Sequence, residues 1–341
     1  MQNTSGKDTA KFAINQLIRS DIQTQKLDAG LELQRIALDV INRPKMRQRF
    51  AQAALLALAN EFIKFSNGRS RQIRVLKQNL EVMGLLGRDA LPQLNVLIRT
   101  WIKLIEKNSS SKQALQQDIE HAFERIYDDS FSYIQNIIHK PNLNVQKRTD
   151  AIKHLGAFLH FWAVLNYNDK ICKKIVAELI FVTENDPSSL VIAESINALA
   201  YLEESVILAD DRQRFKLVLC LIRKLNDKRH AQYRGRRALL RNTINRQLRK
   251  FQYGMHNNLD RLLRFYIKET ELFATAENRI DFFKYFNGVI RSVIKSPGGH
   301  RLKRKYVASV TNRLERMKHQ ESEKKVRLQL SRARSNLLKL L

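Results

Sequence analysis

Apolar residues recur along this chain at spacings of three and four, in one block after another. Leu31, Leu33, Ile36, Val40 and Ile41 follow Phe12, Leu17 and Ile18 in this way. Further runs cover 50–65, 73–86, 90–105, 115–126, 131–138, 145–164, 171–182, 190–202 and 215–225. Such spacing places one apolar stripe on each of a series of α-helices. Only 11 Gly and 5 Pro occur in 341 residues, so the breaks are short and no strand alternation with paired turn signals competes. Asn67-Gly68, Gly87-Arg88-Asp89, Lys140-Pro141-Asn142 and Asn185-Asp186-Pro187 are such breaks. Asp89 and Asp186 are expected as N-caps, with Pro187 in a first helical turn. Asp21, Asp28, Asp128-Asp129 and Asp210-Asp211 are expected as caps or turn residues. Antiparallel helix pairs with short loops, repeated about every 40 residues, predict an all-α fold, an α-solenoid.

Three segments carry more than periodicity. Residues 70–98 include Leu86, Gly87, Ala90 and Pro92, and residues 143–159 include Val145, Ala151, Leu155 and Gly156. Residues 186–202 include Asp186, Pro187, Ala193, Ala198 and Leu199. These resemble HEAT repeats, over residues 30–225. The resemblance implies HEAT-like antiparallel helical hairpins (an armadillo-like array) that serve as a binding scaffold. Small residues such as Ala and Gly let stacked helices approach closely. Beyond residue 230 the chain departs from the pattern.

Hydrophobic content of 44% is ordinary for a folded chain. The two cysteines, Cys172 and Cys220, have no CxxC neighbour and sit in apolar runs, so buried free thiols in a reducing compartment are expected. The first residues contain no apolar stretch of signal-peptide length, and no run reaches the ~20 residues of a membrane span. A soluble intracellular protein is expected, cytoplasmic, or nuclear in a eukaryote.

Charge divides the chain. Residues 212–341 hold 34 Lys+Arg against 9 Asp+Glu, whereas residues 1–211 hold 27 against 24. The expected domains are therefore near-neutral repeats over 1–211 and a strongly basic helical region over 212–341 that continues or caps the solenoid. Residues 228–259 carry Lys228, Arg229, Arg234, Arg236, Arg237, Arg241, Arg246, Arg249 and Lys250 and no acid. Leu240, Ile244, Leu248 and Phe251 form the apolar stripe of that helix, and Tyr233 and Tyr253 flank it. A second cluster, Arg301, Lys303, Arg304 and Lys305, follows Pro297-Gly298-Gly299 at a predicted helix start, with Arg313 further along. Cations there oppose the helix dipole and favour a bound anion. Arginine forks suit phosphate, and flanking tyrosines could stack on bases.

No GxxxxGK[ST], GxGxxG after a strand, HExxH or GxSxG occurs. His121 and Glu124 lack a second ligand pair, so neither metal nor cofactor is expected. Basic HEAT-like solenoids include alkylation-repair DNA glycosylases, which use an Asp beside Trp residues. Here Trp101 and Trp162 lie in apolar helical runs without a neighbouring Asp and are expected in the core. The expectation is a non-enzymatic nucleic-acid-binding protein using Arg/Lys phosphate contacts, with RNA favoured over DNA because no helix-turn-helix or zinc finger is evident. The alternative is a protein-interaction scaffold. Its N-terminal solenoid would grip a protein partner, and its basic half would dock an acidic protein or an anionic membrane surface.

Overall fold

The apolar stripes become fifteen α-helices, with no strand, among the described residues. A computed structural model describes residues 3–68, 72–105, 110–165, 168–204, 211–226, 234–252, 255–295 and 303–340. They form two compact units, Met1–Tyr167 and Asn168–Leu341. No helix among them is long and apolar enough to cross a membrane.

The first unit contains α1 (Asn3–Arg19), α2 (Gln23–Val40), α3 (Pro44–Ser66), α4 (Ile73–Leu86), α5 (Leu94–Ile105), α6 (Ser110–Ile138) and α7 (Val145–His160). Helices α2, α4 and α6 pack as one layer, and α1, α3, α5 and α7 as the other. Successive helices alternate between layers, which makes the unit an α-solenoid of antiparallel hairpins. Polar links between equivalent helices show its period. Gln78 donates to Gln34 across 44 residues, Arg125 to Glu81 across 44, and Arg47 to Asp89 across 42. Buried Ala51, Ala54, Ala57 and Ala59 keep α3 close to its neighbours. The far end of the unit is held by rings: Phe123 stacks on Phe161 at 4.0 Å, and Trp101 meets Phe161 edge-on at 5.1 Å. Both tryptophans are core residues, as expected.

Asp89 and Asp129 do not cap helices, because both find partners elsewhere in the stack. The runs 115–126 and 131–138 are one helix, α6, and Asp128 and Asp129 lie inside it. Asp129 accepts the Arg88 backbone N–H at 2.8 Å and pairs with Arg47 at 3.2 Å, so it does not compete for its own backbone. Asp89 does not cap α5. It sits in a 3-10 segment, Gly87–Gln93, and pairs with Arg47 at 2.8 Å. Asp28 is an exposed residue within α2, and Asp21 lies in the connection before it. Gly156 is buried inside α7 and does not end it.

Gly87 makes this corner. Its φ of 53° and ψ of −126° are open to glycine and strained for other residues. A Cβ would lie 2.4 Å from the Asp129 Oδ2 that holds Arg47 and the Arg88 N–H. Gly87→Ala should therefore cost about 2–4 kcal/mol, backbone strain together with a displaced carboxylate. Trp101 and Trp162 are the only tryptophans of the chain and both lie in the first unit. Urea unfolding followed by tryptophan fluorescence reads this loss directly; an unchanged midpoint would refute the argument.

The second unit contains α8 (Asp169–Asn185), α9 (Ser189–Leu199), α10 (Asp211–Leu225), α11 (Arg234–Lys250), α12 (Leu259–Lys268), α13 (Ala276–Lys295), α14 (Arg304–Gln320) and α15 (Lys324–Leu338). One layer is built from α9, α11, α13 and α15, and the other from α8 and α10 with α12 and α14. Within this unit, helices alternate between two layers on both sides of residue 230. The division between units at 167/168 is not the charge boundary at 211/212, which falls at the start of α10. Units are set by buried side chains and charge by exposed ones. Asn168 Oδ1 accepts from the Ile171 N–H at 3.1 Å and opens the second unit by capping α8. Asp186 precedes α9 by a turn of its own, accepting from the Ser188 N–H at 2.7 Å, and Ser188 takes the cap position. Cys172 and Cys220 are buried free thiols, and burial pushes both pKa values up to about 12.

Candidate anion-binding surface

The acid-free stretch of sequence is not acid-free in space. Arg241 of α11 forms ion pairs with Glu277 and Asp281 of α13. Burial works against its charge, yet the hydrogen bonds it donates to these two carboxylates, with their negative charge, outweigh it and raise its pKa above the ordinary arginine value. Arg313 of α14 pairs with Asp260 of α12 at 3.3 Å. Both arginines, expected on phosphate, already have protein carboxylates. Arg246 is exposed and donates to Asn197 Oδ1 at 2.8 Å, linking α11 to α9. Lys250 is half-buried, with a partner of its own. Lys228, Arg229, Arg301, Tyr233 and Tyr253 lie outside the described residues. Arg234, Arg236 and Arg237 fall in the first turn of α11, and their side chains lie outside what is described.

Exposed cations without a carboxylate partner among the described residues include two groups in the second unit. The first is Lys303, Arg304 and Lys305, where the sequence places them: Lys303 is the N-cap of α14, no side chain caps it, and no acid occupies the first turn. Here the cations sit against the positive end of the helix dipole.

The second group was missed except for Arg249. Helices α11, α13 and α15 are linked side by side at offsets of 40 to 42 residues. Ser292 donates to the Gln252 carbonyl across 40 residues. Asn287 donates to the Gln329 carbonyl across 42, and Arg279 to Glu321 across 42. Arg249, Arg291 and Arg332, all exposed, lie 42 and 41 residues apart on three successive helices of this layer, close to these offsets. The spacing itself was the available signal, because it equals the repeat. Stacked helices lie about 8–10 Å apart, so the column covers on the order of 20 Å. Between α13 and α15 it borders a groove of about 440 Å³ lined by Arg291, Ser331, Arg332, Ser335 and Asn336.

The first unit holds a different cleft, of about 530 Å³, whose lining includes Leu56, Leu91, Pro92, Tyr133, Asp150 and His154. Leu56 is 74% exposed, and the Arg88 guanidinium lies 5.2 Å from the Tyr133 ring centre. Burial lowers the His154 pKa, opposed by Asp150 and aided by Lys153. A depressed histidine pKa contributes stability above the unfolded value near 6.5 that is lost as pH falls below it. The wild-type urea midpoint should therefore drop more between pH 7.5 and pH 5.5 than that of His154→Gln; equal drops would rule this out.

No family model matches the chain, and no curated protein matches it either. Among solved structures, a study of tubulin recruitment by microtubule polymerases with TOG domain arrays is similar at 11% identity and a TM-score of 0.47. It covers 99% of this chain and 87% of the other. An engineered protein is similar at 13% identity and a TM-score of 0.27, covering 98% and 97%. At these scores neither bears on what this chain binds, and the solenoid rests on its own helix packing.

Proposed function

We propose that this chain is a HEAT-type helical-repeat protein that binds nucleic acid without catalysis, through phosphate contacts from its second unit. The observation that carries this reading is the set of exposed cations left without carboxylates, above all the Arg249–Arg291–Arg332 column. A solvated basic face of structural origin would balance its signs within the fold, as Arg241 and Arg313 do. The column and Lys303–Lys305 are unbalanced, and a polyanion supplies the missing charge. Single-stranded RNA is the favoured form, since no recognition helix for a duplex groove is evident in the sequence. The test is binding of RNA and DNA oligonucleotides by the full chain across a salt series. Binding that is strong at low salt and falls steeply supports the reading, and a flat dependence refutes it.

The exposed Leu56 and Tyr133 in the first-unit cleft favour a second role, contact with a protein partner. Chain that binds no oligonucleotide at low salt would shift the reading to this scaffold role.

A further inference from the structure

We propose that the groove between α13 and α15 is an oxyanion site that seats one phosphate of a bound single strand; the strand rests on the function proposed above, the donor set does not. Its lining is Arg291 from α13 and Ser331, Arg332, Ser335 and Asn336 from α15. Two guanidiniums, two hydroxyls and one carboxamide make a set rich in donors, and none of the five is a carboxylate or an apolar residue. Ser331 and Ser335 stand four apart on one helix, as do Arg332 and Asn336, so each pair shares a face one turn apart. Arg291 closes the set from the neighbouring helix. The groove volume lies within the usual range of ligand sites.

Two acids that precede α15, Glu315 and Glu321, serve other arginines. Glu315 holds Arg334 at 3.0 Å, and Glu321 holds Arg279 at 3.0 Å. Arg291 and Arg332 have no ion-pair partner among the described residues, so two like charges face one groove. A tetrahedral oxyanion relieves that repulsion and accepts from both sides at once, which a planar carboxylate does less completely. The walls are set in advance. Val289, Ile290, Leu330 and Ala333 are buried beneath the groove, and Asn287 ties α13 to the Gln329 carbonyl at 3.1 Å. The helix backbones therefore need no ordering, and what remains to be ordered is the two exposed arginine side chains.

The test compares the full wild-type chain with Arg291→Gln, Arg332→Gln, the double variant and Arg316→Gln, an exposed arginine outside the groove. The probe is a single-stranded oligonucleotide titrated across a salt series, with inorganic phosphate as competitor. Melting curves establish that the variants are folded, as expected for exposed positions. Two arginines on one phosphate act as a unit. Each single variant should weaken binding several-fold, and the double variant should lower the slope of log K against log salt by about 0.7, the value of one single-strand phosphate. Inorganic phosphate should compete against wild type more effectively than against the double variant. A slope loss near 1.4 in the double variant would mean two separate phosphates and would overturn the single site. An unchanged slope and affinity would overturn the groove altogether while leaving nucleic-acid binding intact. Absence of oligonucleotide binding by the wild-type chain would overturn the nucleic-acid reading and the strand assignment with it.

Discussion

Raising salt from about 50 to about 200 mM is expected to weaken duplex DNA binding by roughly 2,000-fold and single-strand binding by roughly 300-fold. Were eight cations of the two basic clusters to contact phosphate, the slope would be about −7 for duplex DNA, at −0.9 per phosphate. Arg241 and Arg313 are tied to Glu277, Asp281 and Asp260. Withdrawing them leaves six contacts and a slope of about −5 for a duplex, or about −4 for a single strand at −0.7 per phosphate. The two carboxylate-bound arginines thus make the expected dependence shallower by two contacts. Neutral variants separate the two classes of arginine. Lys303→Gln/Arg304→Gln/Lys305→Gln should flatten the slope by two to three contacts with an unchanged melting temperature. Arg241→Gln should do the reverse: it strips Glu277 of this partner, leaves Asp281 with Lys284 alone, lowers stability and leaves the slope almost unchanged. A slope that responds equally to both variants would contradict the assignment of Arg241 to structure. The readout is fluorescence anisotropy of labelled oligonucleotides at a series of salt concentrations.

What the sequence revealed about this molecule follows from the range of each interaction. The apolar stripes are local, so helices such as α4, α11 and α14 were legible from spacings of three and four. The exposed cations at Lys303–Lys305 were legible too, because a helix start is also a local feature. The carboxylate partners of Arg241 escape its local sequence because they lie 36 and 40 residues away, one repeat further on. Asp129 was misjudged for the same reason: its partners are Arg88 and Arg47, and a carboxylate used across the stack has no need to cap. In a solenoid the relevant neighbour of residue i lies near i+42 as well as near i+4. Read at that longer spacing, Arg249, Arg291 and Arg332 form a column in the bare sequence. No corresponding clue announces the α13/α15 groove, since Ser331, Ser335 and Asn336 gain meaning only once Arg291 is placed opposite them.

Replacing Glu61 by Gln should be the most damaging single change in the first unit. Glu61 on α3 accepts from Lys26 of α2 at 2.8 Å with one oxygen and from Lys64 at 2.8 Å with the other. The Glu61 and Lys26 side chains are 1% and 4% exposed, in a region filled by Ala29, Leu33, Leu58 and Phe62. Removing one member of a buried pair strands the other charge in apolar surroundings, which costs about 3–5 kcal/mol. At a urea m-value of about 2 kcal/mol/M the midpoint should fall by roughly 2 M. Exchanging both partners, Lys26→Met/Glu61→Leu, removes the charges and keeps the volume, so it should cost far less than the single change or stabilise the unit. Lys64 is about a third exposed and returns to water in that variant. Tryptophan fluorescence reports on this unit alone, since Trp101 and Trp162 both belong to it. If the double variant unfolded at lower urea than Glu61→Gln, the pair would have to stabilise the α2/α3 contact by more than charge compensation. If the order is as expected, its role is to fix which faces of α2 and α3 meet, because an apolar pair in the same place would hold them as firmly with less discrimination between registers.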